Sequence, residues 1–208
     1  EPVHLDELKL DLKLLAGTDT TLSVIRIDSL GLALNRMIEA SARGRILNGP
    51  DPQIHFDLDR FAIRHDAVWA WLPDLLREPF AEAELTGTTT FSGGGRLTGT
   101  AAGLLYDIDA RMTTAGTSFR APAQFTLVNG LGIDTRLKAA SSDGIHAVME
   151  AGLDSVRIGK SGAVSYQRNR LSIRLASRDL SSLIEMDGRL ELPGLYTSGS
   201  FAASIAEL

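Results

Sequence analysis

The feature that most constrains this chain is an alternation of apolar and polar residues with a period of two, repeated over most of its length. Successive side chains of a strand point to opposite sheet faces, so this pattern dictates strands with one apolar and one polar face. Leu8 to Leu14 read LKLDLKL, with the leucines on one face and Lys9, Asp11 and Lys13 on the other. The same phase recurs through Leu30, Leu32 and Leu34, through Ile38, Ala40 and Ala42, and through Ile54, Phe56 and Leu58. A slip then moves the phase to Phe61 and Ile63, as a β-bulge would. Tyr106, Ile108, Ala110 and Met112 continue it, followed by Phe119 to Leu127 with Phe125 in phase. Leu131 and Ile133, then Leu171 and Ile173, and closing strands around Leu190 and Phe201 complete the pattern.

Gly, Asn, Asp and Pro clusters punctuate these runs. The Asn48-Gly49-Pro50-Asp51-Pro52 cluster reads as a turn, as do Gly93-Gly94-Gly95, Asn129-Gly130 and Gly159-Lys160-Ser161. Helical spacing is confined to Asp66–Arg77, which Pro73 divides into two short turns, and to a short stretch near Leu180–Ile184. The expectation is an all-β, antiparallel protein of roughly a dozen strands with one or two short helices. A parallel α/β fold is excluded because crossover helices are lacking.

Composition narrows the functional classes. Acidic and basic residues are interleaved and the formal net charge is -5, so no basic stripe exists to neutralise phosphates and nucleic acid is not expected as a partner. Cysteine is absent, which removes disulfides and thiolate metal sites. His4, His55, His65 and His146 are too scattered to form a metal-ligand spacing. The carboxylate pairs Asp57/Asp59 and Asp107/Asp109 lie opposite an apolar face, where solvation explains them better than catalysis. Gly159-Lys160-Ser161 lacks the first glycine of a phosphate loop, and no cofactor signature is complete. Enzymatic activity is therefore not expected. Trp69 and Trp71 are suited to an interface or to plugging the end of an apolar trough.

With these features in place, the chain resembles the AsmA-like superfamily of Gram-negative envelope proteins, which includes the TamB, YhdP and YdbH groups, and the YdbH-like group most of all. The likeness is carried by three things. They are the succession of Leu-rich alternating strands, the stretch WLPDLLREPFAEAELTGTTTFSGGGRLTG from Trp71 to Gly99, and the Asp179-Leu180 break followed by Leu183 and Gly188. The resemblance implies a long twisted sheet curled into an open apolar groove. It further implies a periplasmic location, a tether to the inner membrane, and phospholipid transport toward the outer membrane. The whole of residues 1–208 would be one section of a larger repetitive groove, since alternation runs close to both ends.

On that reading the acyl chains of a phospholipid would lie against Leu10, Leu12, Leu32, Phe56, Tyr106, Ile108, Phe125, Leu127, Ile133, Leu171 and Ile173. Inner- and outer-membrane proteins or small envelope proteins would be the partners. The alternative is a structural or assembly domain, a closed sandwich or solenoid that pairs with outer-membrane or envelope proteins. In that case the same apolar face is simply a core.

Overall fold

The computed structural model describes residues 10–73, 77–80, 82–122, 126–158, 164–177, 184–192 and 197–205. Eleven strands form one antiparallel sheet in which each strand pairs with the next in sequence, from β1 to β11. They are β1 (Leu10–Thr18), β2 (Val24–Leu34), β3 (Ile38–Leu47), β4 (Gln53–Arg64), β5 (Glu84–Thr100), β6 (Gly103–Ala121), β7 (Thr126–Ala140), β8 (Gly144–Ile158), β9 (Val164–Ser177), β10 (Ile184–Leu192) and β11 (Thr197–Ile205). β1 and β11 do not meet, so the sheet is open rather than a barrel. A meander of this kind follows from short connections, because antiparallel neighbours can be joined by tight turns.

The sheet is a single layer. The chain exposes 14316 Å², against roughly 9,400 Å² for a compact monomer of this size. Among the described residues no large side chain is fully buried. The β3 strand shows the elementary pattern, with half-buried and exposed residues strictly alternating from Ile38 to Arg45.

The apolar phase crosses several slips without changing face. Register shifts occur at Ile27/Leu30, Leu58/Phe61 and Thr114/Thr117. The two residues skipped are Asp28-Ser29, Asp59-Arg60 and Ala115-Gly116. Each is a bulge that inserts polar or small residues while the next large residue returns to the apolar side, and each adds local twist and bend.

Two expected turns prove to lie inside strands. Asn129-Gly130 falls within β7, where Gly130 at φ 67° accommodates an irregularity rather than a hairpin. Gly93-Gly94-Gly95 lies within the 17-residue β5. A Cβ on Gly93 would come within 2.5 Å of the Asp109 carbonyl and 2.7 Å of the Ala110 Cα, and one on Gly95 within 2.8 Å of the Asp107 carbonyl. Neighbouring backbones therefore occupy the space that side chains would need. The glycines serve close approach at a bend, as a strand-interior glycine commonly does. Gly159-Lys160-Ser161 and most of the stretch near Leu180–Ile184 lie outside the described residues.

Pro73 divides the helical segment as the sequence implies. Beyond it Arg77 is helical and donates its N–H to the Pro73 carbonyl at 3.2 Å, with residues 74–76 outside the described residues. The α1 helix spans His65–Trp71 and stops at Leu72, whose ψ of 137° is the extended conformation that a following proline favours. A single 3-10 turn at Glu78–Phe80 follows.

Substituting Gly93→Ala should cost about 1–3 kcal/mol in urea unfolding, the usual penalty for forcing volume into a packed site. Gly49→Ala, where a Cβ would meet nothing within 4 Å, should leave stability within about 0.5 kcal/mol of the parent.

Candidate apolar groove

Register partners in an antiparallel sheet share a face, so the pairing traces rows of side chains along the direction in which the strands stack. One row crosses all eleven strands. It runs from Leu12 through Leu32, Ala40, Phe61 and Phe91 to Met112, then through Thr135, Met149, Ile173 and Gly188 to Phe201. Thr135 is its one polar member, and its hydroxyl is buried without a hydrogen-bond partner. A parallel row runs from Leu10 through Leu34, Ile38 and Ile63, reaching Ile133, Ala151, Leu171 and Leu190 beyond Thr89 and Thr114. At about 4.8 Å per strand, ten steps give a path of roughly 48 Å.

The centre of this face is hollow. A depression of about 310 Å³ is lined by Phe56, Leu58, Phe91, Ile108, Met112 and Leu137, with Gly93 at its floor. Phe56 registers with Gly44 on one side and Gly95 on the other. A Cβ on Gly95 would meet the Phe56 ring at 3.0 Å and Ile108 at 3.1 Å. The aromatic ring thus covers a bare glycine backbone and keeps the surface apolar where side chains are missing. Phe61 and Phe91 meet edge to face with centroids 5.6 Å apart.

One rim of the face is covered. His65, at the start of α1, contacts Thr89 Oγ1 through Nε2 at 2.9 Å and Thr117 Oγ1 through Nδ1 at 3.2 Å, and Thr89 contacts Thr114 at 2.8 Å. Trp69 donates its indole N–H to the Ala83 carbonyl at 2.9 Å. Both Trp69 and Phe80 lie edge-on against Phe119. Thr114, Thr117 and Ala121 are consequently among the few buried residues. Trp69 therefore acts as a cover over β6, while the indole N–H of Trp71 is buried without a partner.

Of the residues expected to touch lipid, Leu10, Leu12, Leu32, Phe56, Tyr106, Ile108, Ile133, Leu171 and Ile173 all register to this one face. Leu127 does not. It pairs with Arg120 and Arg157 on the polar face, and its neighbours Thr126 and Val128 take the apolar side. The chain turns after Ala121 instead of running straight to Leu127, and the turn resets the phase. Phe125 lies outside the described residues. Leu58, Phe91, Met112 and Leu137 line the hollow beside Phe56 and Ile108. Leu58 and Met112 were already in phase in the sequence, whereas Phe91 was obscured by the glycine run next to it.

The opposite face is wet and charged. Arg43 reaches Asp57 at 3.5 Å and Asp59 at 3.2 Å, and Lys138 lies 3.9 Å from Asp109. Arg111 clamps Asp134 through two nitrogens, at 3.0 and 2.5 Å. The hydrogen bond from Arg111 holds the Asp134 carboxyl below the usual carboxylate range; partial burial opposes this, and the positive charges of Arg111 and Arg136 add to it. His55 sits between Arg45 and Arg96. Its pKa is lowered, first by burial and then by these two cations. Among the described residues no group of three or more His, Cys, Asp or Glu could hold a metal ion, and no helix is long and apolar enough to cross a membrane.

Comparison with protein-family models, with curated proteins and with solved structures finds no match.

The Asp134–Arg111 pair supplies a pH test. Because folding lowers the Asp134 pKa, the pair stabilises the fold above the ordinary carboxylate value of about 3.9 and loses that contribution as pH falls through the folded value. Arg111→Gln should move the Asp134 titration upward by NMR. It should also weaken the fold only slightly at neutral pH, since the pair is solvent-screened, and the difference should vanish in acid.

Proposed function

We propose that this chain is a non-enzymatic lipid-transfer module, a section of an AsmA-like bridge in the Gram-negative periplasm. In this role it conducts phospholipids between the inner and outer membranes along its apolar face. The observation that carries the reading is the apolar row crossing all eleven strands on an open single layer, broken by one threonine. A methylene gains about 0.8 kcal/mol on leaving water, so a diacyl lipid needs roughly 25 kcal/mol of apolar contact to travel outside a bilayer. Continuous cover meets that need better than any single pocket. The acyl chains lie against residues such as Leu32, Phe56, Ile108, Ile133 and Ile173, and the headgroup stays in water above the open seam.

One observation favours a second reading. Among the described residues β1 and β11 each have a strand neighbour on one side only. A free edge can accept a strand from an envelope partner, which would make the chain an assembly domain.

Native mass spectrometry and lipid extraction of protein purified from a Gram-negative host test the proposal. Phospholipid should co-purify with the parent, and Ile108→Asp should lower its occupancy at least about tenfold, because an unpaired charge in an apolar site is strongly disfavoured. Asp107→Asn and Asp109→Asn, on the wet face, should leave occupancy unchanged. A lipid-free parent protein would discard the transfer reading in favour of the assembly domain.

A further inference from the structure

Among the described residues, the rim opposite α1 carries the turns β1–β2, β3–β4, β5–β6 and β7–β8. Three of them carry a carboxylate, Asp19, Asp51 and Asp143, although the first also exposes Leu22. The β5–β6 hairpin differs. From Leu97 to Tyr106 it reads LTGTAAGLLY, ten residues without a charge, and Ala101 to Leu105 are all exposed. Leu104 is 61% exposed and Leu105 51%. As neighbours on one strand they point to opposite faces of the sheet, so the tip is apolar all round rather than on the groove side alone.

The hairpin also projects. The ladder with β4 ends at Gln53 and Thr98, with one further bond from the Gly99 N–H to the Pro52 carbonyl, and the ladder with β7 ends at Asp107 and Ala140, with one further bond from the Ser141 N–H to the Tyr106 carbonyl. Residues 100–105 extend beyond these last bonds, a reach of roughly 7 Å at strand spacing. Part of the tip's polar backbone is met within the hairpin. Thr100 Oγ1 donates to the Gly103 carbonyl at 2.8 Å and accepts from the Ala102 N–H at 3.3 Å, while Gly99 and Thr100 pair with Leu104 and Gly103. Each group satisfied internally lowers the cost of leaving water, and the headgroup–acyl boundary still hydrates the rest.

We infer that the β5–β6 hairpin is a membrane-contact finger, dipping into the headgroup–acyl boundary of a bilayer. Its depth matches the roughly 5–10 Å by which interfacial segments enter that zone. Tyr106 stands at its base, the level at which aromatic residues favour the interface. A projecting tip apolar on both faces suits a fluid that closes around it, whereas a protein groove is met by one apolar side. The shoulders decide the lipid. Asp51 and Asp143 flank the finger, and the hairpin from Leu97 to Tyr106 carries no lysine or arginine of its own. The target is therefore a zwitterionic bilayer, bound weakly and reversibly. The groove need not carry lipid for this contact to form.

The test uses phosphatidylcholine vesicles. The chain has no native cysteine, so Leu105→Cys and Ser142→Cys can each carry an environment-sensitive fluorophore at a single place. Vesicles should shift the emission at position 105 to the blue and leave position 142 unchanged. Leu104→Asp combined with Leu105→Asp should reduce vesicle flotation at least about tenfold, and the milder Leu104→Ser with Leu105→Ser should reduce it in the same direction. Circular dichroism should be that of the parent for both. Ile108→Asp, which tests the groove, should still float.

Four results would overturn the inference: no shift at position 105, flotation of the double variants equal to the parent, binding only to anionic vesicles, or a fluorophore shift at 105 that follows protein concentration without vesicles. The last would assign the tip to a contact between copies. Loss of flotation by Ile108→Asp alone would instead trace vesicle binding to the groove.

Discussion

Everything in this structure depends on cross-strand register. A one-layer sheet has no opposing layer against which to bury its apolar side, so the apolar residues must cover one another along rows. A slip of one residue would send a whole strand's leucines to the charged face. The row through Leu12 holds across all eleven strands and the row through Leu10 reaches Leu190 on β10, because each pairing keeps its residues on the same face. The charged face reinforces this choice, since Arg43 with Asp57 and Arg111 with Asp134 form only in the same register.

The bulges reconcile that requirement with curvature. Strict alternation over 17 or 19 residues, the lengths of β5 and β6, would make long, gently twisted ribbons. A two-residue skip adds a bend at chosen points without disturbing the phase beyond it. The skipped residues are those that tolerate such geometry or welcome water: Asp28-Ser29, Asp59-Arg60 and Ala115-Gly116. Near the middle, Gly93 and Gly95 let β6 close on β5 and Gly94 lets β4 do so, and Phe56 lies over the space left bare. The hollow beside Phe56 and Ile108 is the outcome of both devices.

This explains which parts of the fold were legible in the sequence. Alternation gave the fold class, the two faces and the placement of residues such as Leu32, Phe56, Ile108 and Ile173, because period two is a direct image of strand geometry. A phase slip was legible as an event but ambiguous in kind. Asp59-Arg60 reads as a bulge, yet Asn129-Gly130, with letters that also suit a hairpin, is a bulge-like irregularity inside β7. The converse error placed Leu127 on the apolar face, because its phase was extended through a turn that follows Ala121. The sequence offered a tryptophan as a plug, but the partners of the cover formed by His65, Trp69 and Phe80 were not legible. Its contacts join residues 14 to 52 positions apart, such as Trp69 with Ala83 and His65 with Thr117, and no local pattern encodes them.

The treatment of polar atoms on the apolar face bears on what the groove can recognise. His65, Thr89, Thr114 and Thr117 satisfy one another beneath α1, so their hydrogen-bonding capacity is spent within the protein. Over the hollow the lining from Phe56 to Leu137 is hydrocarbon, aromatic ring or glycine backbone, apart from Thr135 and the backbones of polar-face residues. A surface of that kind offers a ligand almost no directional contact, and binding to it follows apolar area. Discrimination must then come from shape along the path of roughly 48 Å, which suits flexible hydrocarbon chains of varied length better than a ligand with a fixed pattern of donors and acceptors. The cost is that no single lining residue dominates. The effect of a substitution should therefore depend on whether it adds a charge, as at Ile108, rather than on which of the aliphatic residues it removes.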